Sequence, residues 1–184
     1  KELSYDKDVC SGLPRTVETA EGILKGRGLK IEVMSEFEEI RSDPDRYKNL
    51  KSLHDVAYAF EGAHLPGARY GEGESFLEFE ARIVTGMMHL VADKSWQNLA
   101  LIAHGGVNRA ILGWASGASL GAFHAFDQNT CCLNIVDVDT HPDTGEIRRM
   151  TVRGMNITPY DPVKKNVDKL ALEMIAERMR AKYG

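Results

Sequence analysis

Cysteine is scarce in this chain: three in 184 residues, Cys10 and the neighbours Cys131 and Cys132. That is neither a disulfide framework nor a zinc-ligand spacing, and reduced cytoplasmic thiols are the simplest reading. No apolar run approaches the ~18 residues of a membrane-spanning helix, and the N-terminus lacks the order of a signal peptide. Positive charge is not in excess either. The 23 Lys and Arg face 27 Asp and Glu, a net charge of −4, so a general nucleic-acid surface is not expected. Repeats, linkers and low-complexity stretches are absent. What remains, 43% hydrophobic and 27% charged residues, is the composition of one ordinary globular domain with a core of useful size.

The most informative stretch is Leu99 to Gly117, LALIAHGGVNRAILGWASG. Leu99 to Ile102 reads as a short strand buried on both faces. It ends in His104 and two glycines. From Val107 the apolar residues take helical spacing (Val107, Ala110, Ile111, Trp114), and Gly117 marks the stop. His104 is thus expected at the carboxyl end of a strand, just before a helix N-terminus. Ligands of open α/β sheets bind in that crevice, and the free N–H groups of the helix favour an anion. Gly105 and Gly106 allow the backbone close to it. The plain alternative is a hydrogen-bonded histidine that caps a strand.

The same arrangement occurs earlier. Asp8 to Ser11 reads as a strand, and Pro14 suits the first turn of a helix with Val17, Ala20 and Leu24 on one face. Arg15 lies in that first turn, where the helix dipole favours acids rather than bases. An anion between Arg15 and the helix N-terminus explains it; a solvated arginine is the alternative. Leu29 to Val33 reads as a second strand with an acidic exit carrying Glu36, Glu38 and Glu39, whose ordinary meaning is a solvated acidic run. A weakly amphipathic helix follows over Asp45 to Glu61, then a Gly/Pro-punctuated loop. Ser75-x-x-Glu78 is a capping box opening a helix with Phe76, Phe79, Ile83, Met87 and Leu90 inward. Cys131 to Asp139 and Glu146 to Met155 read as a hairpin. Asp161 and Pro162 announce a last helix with Val167, Leu170 and Met174 inward. Strands alternating with helices before a hairpin predict a three-layer αβα sandwich, mostly parallel, with an antiparallel hairpin at one edge.

In three ordered places the chain resembles the histidine phosphatase superfamily, of phosphoglycerate mutase-like fold. VCSGLPRTVETAEGIL resembles its strand and helix with a phosphate-binding arginine, which falls on Arg15. SEFEEI resembles its acidic exit, whose general acid falls on Glu39, with Glu36 and Glu38 as neighbouring candidates. LIAHGGVNRAIL resembles its second catalytic histidine segment, which falls on His104. GESFLEFEARI, Gly73 to Ile83, resembles the helix after its substrate loop, and Arg69, Tyr70 and Glu74 are the substrate-loop candidates. For Arg69 and Tyr70 simple solvent exposure is the alternative.

The resemblance implies metal-independent, cofactor-free hydrolysis of a small phosphomonoester through a phosphohistidine. Arg15, His104 and the Gly105 N–H hold the phosphoryl oxygens, and an acid protonates the leaving alcohol. A homodimer is compatible with it. Two departures stand out. The segment Arg41 to Asp45 does not match the family's Gly-x-Trp-Glu-Gly type continuation. No Arg-His-Gly, the family's nucleophile motif, occurs in the 184 residues. Because Lys1 to Cys10 reads like a helix end running into a strand, we expect a single domain lacking its first strand, with the nucleophile upstream. The alternatives are a non-catalytic relative that binds a phosphorylated ligand, or a phosphoglycerate mutase. A serine hydrolase is a weaker rival. Gly117 to Gly121 fits G-x-S-x-G, but Ser119 follows a helix instead of standing between strand and helix.

Overall fold

The structure, a computed structural model, describes residues 5–26, 28, 30–43, 54–159 and 169–183. Its elements are β1 (Lys7–Cys10), α1 (Pro14–Leu24), β2 (Ile31–Val33), α2 (His54–Ala57), α3 (Phe76–Ala92), β3 (Leu99–Ile102), α4 (Gly105–Ser116), β4 (Leu133–Thr140), β5 (Ile147–Ile157) and α5 (Ala171–Tyr183). Single 3-10 turns lie at Ser35–Phe37 and Ser119–Ala122.

β1 is the middle of a parallel three-stranded sheet, β2-β1-β3, and β4 pairs antiparallel with β5. This is the expected α/β architecture, with one difference. The hairpin forms a sheet of its own: among the described residues β3 pairs only with β1, and β4 only with β5. β3 was expected to be buried on both faces, yet all four of its residues are only partly buried, whereas Asp8 to Cys10 of β1 are fully so. Among the described residues β1 has a strand on each side and β3 on one.

The register brings three strand ends together. Cys10 lies opposite Val33 on one side and Ile102 on the other. The residues that follow (Ser11, the acidic turn, and His104) therefore emerge along one edge, the carboxyl end of the sheet where ligands of this architecture bind.

α1 starts with Pro14 at its first position, and α3 has the expected reciprocal capping box between Ser75 and Glu78. α4 ends at Gly117 with φ of 75°, a left-handed closure that glycine adopts without Cβ strain. The core is aromatic. Phe37, Phe79 and Phe123 are wholly buried, and Phe60, Phe76 and Phe79 each meet the Phe123 ring edge-on. Arg109 lies within this core, satisfied by the Phe123 carbonyl at 3.1 Å and by Asp127 at 3.4 Å.

Two helices differ from expectation. Of the helix expected over Asp45 to Glu61, residues 45–53 lie outside the described residues; the rest is the single turn α2 followed by turns. Asp161, Pro162 and Val167 also lie outside them. α5 begins at Ala171, with Leu172 and Ala176 packed inward, while Leu170 is 53% exposed. Leu172 and Ala176, four apart, define the inward face, and Leu170 precedes the helix.

Candidate active site

His104 is the N-cap residue of α4 and is buried. Its two ring nitrogens face different elements. Nε2 lies 2.8 Å from the Ser11 hydroxyl at the end of β1, and Nδ1 accepts a hydrogen bond from Nε of Arg15, on the first turn of α1, at 3.1 Å. Arg15 is otherwise exposed. The two strand-to-helix junctions singled out in the sequence, 89 residues apart, thus meet directly. Burial, with the Arg15 charge adding to it, lowers the His104 pKa to about 4, and Arg82 acts in the same direction while Glu38 opposes it. His104 is therefore neutral near pH 7.

The three acidic candidates separate cleanly. Glu38 turns outward to Arg41 at 2.9 Å. Glu36 contributes its carbonyl to a contact described below. Glu39 alone reaches α4: its Oε2 accepts from the Gly106 N–H at 3.1 Å and its Oε1 from the Ile40 N–H at 3.0 Å. Burial pushes the Glu39 carboxyl above its ordinary value, against the two backbone N–H bonds and the Arg15 and Arg82 charges. A carboxyl held upward in this way can carry a proton to a leaving group. The seat requires glycine: a Cβ on Gly106 would lie 2.3 Å from Glu39 Oε1, whereas one on Gly105 would meet nothing nearer than 3.8 Å. Gly105 is the first residue of α4, where backbone N–H groups have no partner within the helix.

Arg82, which sequence reasoning did not single out, organises the acidic exit. From α3 its guanidinium donates to the carbonyls of Glu36 (2.6 Å), Glu38 (2.8 Å) and Glu39 (3.2 Å), and to both oxygens of Glu74 (2.7 and 3.0 Å). It also stacks over the Phe79 ring, 4.8 Å from its centroid. Glu74 further accepts from the Arg41 N–H at 3.1 Å, and these donors outweigh its burial and hold its carboxyl below the usual range. Of the substrate-loop candidates, Glu74 thus belongs to this clamp. Tyr70 packs on Phe60 and Phe76, and exposed Arg69 donates to the Gly73 carbonyl. The sequence signal for the clamp was a Glu before the capping serine and an Arg two turns into the helix.

Ser119 lies after α4 and donates to Glu80 at 2.5 Å, away from any strand-to-helix elbow. Among the described residues no group of three or more His, Cys, Asp and Glu side chains could hold a metal ion. No described helix is long and apolar enough to cross a membrane.

Parallel strands thus deliver Arg15, His104 and the Glu39 carboxyl to one sheet edge of an α/β domain. The chain belongs to the histidine phosphatase superfamily: the family model for its branch 1 matches residues 1–152. No curated protein matches it. Solved structures similar in fold include the alpha-ribazole phosphatase of Shigella flexneri, 21% identical, with a TM-score of 0.64 over 85% of this chain and 75% of that one. Mycobacterial glucosyl-3-phosphoglycerate phosphatase is 20% identical, with a TM-score of 0.63 over 83% and 77%. YhfR of Bacillus stearothermophilus is 18% identical, with a TM-score of 0.63 over 86% and 77%.

Proposed function

We propose that this chain forms most of a phosphomonoesterase that works through a phosphohistidine, with Arg15 and His104 holding the phosphoryl oxygens and Glu39 serving as the general acid. The carrying observation is the direct meeting of Arg15 and His104 beside the carboxyl seated on Gly106. The reaction places charge on three equatorial oxygens and on the leaving oxygen. Arg15 answers the first need, together with the N-terminus of α4. The raised carboxyl of Glu39 answers the second, and once ionised it can take the proton of the attacking water.

The nucleophile in this proposal is a histidine on a strand outside the 184 residues, seated between β3 and β4. Each of these strands has one strand neighbour among the described residues, and they do not pair with each other. A strand paired with both would extend each ladder and satisfy backbone groups along their open edges. The fold resemblance to phosphatases agrees with this reading, and the mycobacterial relative has been solved in complex with inorganic phosphate. Without such a strand, the same pocket binds a phosphorylated ligand and does not hydrolyse it. A mutase uses the same phosphoenzyme and differs in returning the phosphoryl group to a second hydroxyl.

The test is hydrolysis of p-nitrophenyl phosphate by the protein carrying its upstream coding sequence, with acid-labile phosphate trapped on a histidine. Turnover without added metal is expected, and His104→Ala and Arg15→Ala should each lower it at least ~100-fold, the scale of a lost electrostatic stabiliser. Activity abolished by a chelator and restored by a divalent cation would refute the reading, as would either variant turning over normally with an unchanged melt.

A further inference from the structure

The hydrogen bonds around His104 have one direction, and it can be worked out by counting protons. Thr16 Oγ1 donates to the Leu13 carbonyl at 2.7 Å, and a carbonyl only accepts, so the single hydroxyl proton of Thr16 is used there. The Ser11 hydroxyl, 2.9 Å from Thr16 Oγ1, must then be the donor in that pair. With its own proton committed, Ser11 accepts at its 2.8 Å contact with His104, and the proton of that bond sits on Nε2. The other side of the ring agrees. A guanidinium has no acceptor, so the Arg15 bond to Nδ1 requires a lone pair there. Ser11 and Thr16 are 1% and 2% exposed, so water is poorly placed to replace either partner.

We propose that Ser11, oriented by Thr16, is a positioning residue that holds His104 as its Nε2–H tautomer and leaves Nδ1 as the ring atom that accepts from Arg15 in the free protein and takes up a proton, from solvent or from a protonated phosphate, to donate to a bound anion. The two locks are not redundant in function, although both act in the free protein. On the phosphatase reading, from which the relevance to catalysis follows, Arg15 turns its donors to phosphoryl oxygens when substrate binds. The Arg15 lock is then released at the moment the ring must keep its orientation, and the Ser11–Thr16–Leu13 chain, anchored in β1 and the first turn of α1, remains. A ring presenting a lone pair to Ser11 would take the Ser11 proton and leave either the Ser11–Thr16 contact or the Leu13 carbonyl without one, so only the Nε2–H orientation satisfies the whole chain.

The experiment removes Arg15, an exposed side chain, and then asks what holds the ring. In 15N-labelled Arg15→Ala the His104 ring should keep one protonated and one unprotonated nitrogen at well-separated shifts, with a slowly exchanging Nε2–H proton. In Arg15→Ala/Ser11→Ala that proton signal should be lost to exchange and the two nitrogen shifts should move toward each other. Arg15→Ala/Thr16→Val keeps the Ser11 hydroxyl but deletes the acceptor that orients it. It should show the same change to a smaller degree, and it decides the matter if the serine variant does not fold. Averaged ring nitrogens in Arg15→Ala alone would overturn the proposal, as would an undisturbed Nε2–H signal in the double variants. A phosphate titration of the unmodified chain separates this from the functional reading. If inorganic phosphate fails to shift Arg15 and Gly105 resonances, the phosphate site falls while the tautomer result stands.

Discussion

Replacing Gly106 with alanine tests the seat of the proposed acid more directly than replacing the acid itself. The new Cβ would stand 2.3 Å from Glu39 Oε1 and 3.5 Å from Phe79 Cζ. The first contact is roughly 1 Å inside an ordinary van der Waals distance, so the carboxyl must swing away. Doing so gives up the 3.1 Å bond from the Gly106 N–H and strains the one from Ile40. A hydrogen bond to a charged group contributes ~1.5–3 kcal/mol, and alanine in a helix returns ~0.5–1 kcal/mol over glycine. The net loss should be ~1–2 kcal/mol, or a melting temperature lower by roughly 2–8 °C for a domain of this size. Gly105→Ala is the internal control, with open space to 3.8 Å, and should melt at or above the parent. In the active protein Gly106→Ala should slow esters with poor leaving groups by ~100-fold or more, the usual worth of a general acid, and activated aryl phosphates much less. If Gly106→Ala melts like Gly105→Ala and keeps the parent's leaving-group dependence, Glu39 does not work from this seat.

Two further outcomes follow from the same contacts. Because the His104 pKa is depressed to about 4 in the folded protein, the unfolded chain binds more protons below its ordinary value near 6.5. The contribution of His104 to stability is therefore fully present above pH ~6.5 and lost as pH falls toward 4, by ~2 kcal/mol between pH 7 and 5. Denaturation of the parent and His104→Gln at both pH values should show that slope in the parent alone. Arg82→Gln should be the more damaging half of the clamp. It strands Glu74 and three carbonyls at a cost of ~3 kcal/mol or more, whereas Glu74→Gln leaves Arg82 its three carbonyl partners; equal melting losses in the two variants would contradict that ranking.

The chain's own pattern determined a good deal. The switch from four apolar residues to helical spacing around His104 marks β3 and α4 because strand and helix differ in side-chain period, and Ser75-x-x-Glu78 marks the start of α3 because a capping box is local. Arg15 and His104 were legible as candidates for the same reason: each sits at a strand-to-helix junction visible within a dozen residues. What the sequence alone left open was everything that depends on residues far apart in the chain. Glu36, Glu38 and Glu39 are equivalent in a run of acids, and only the approach of α4, 67 residues later, singles out Glu39. Arg82 looks like a solvent-facing helix residue until the turn at Ser35–Phe37 is laid against α3. The proton order from Arg15 to the Leu13 carbonyl exists only because parallel pairing sets Cys10 opposite Ile102 and so brings Ser11 to His104. Hydrogen bonds reach only ~3 Å, so which partners they join is decided by tertiary packing and register, quantities that no local period encodes.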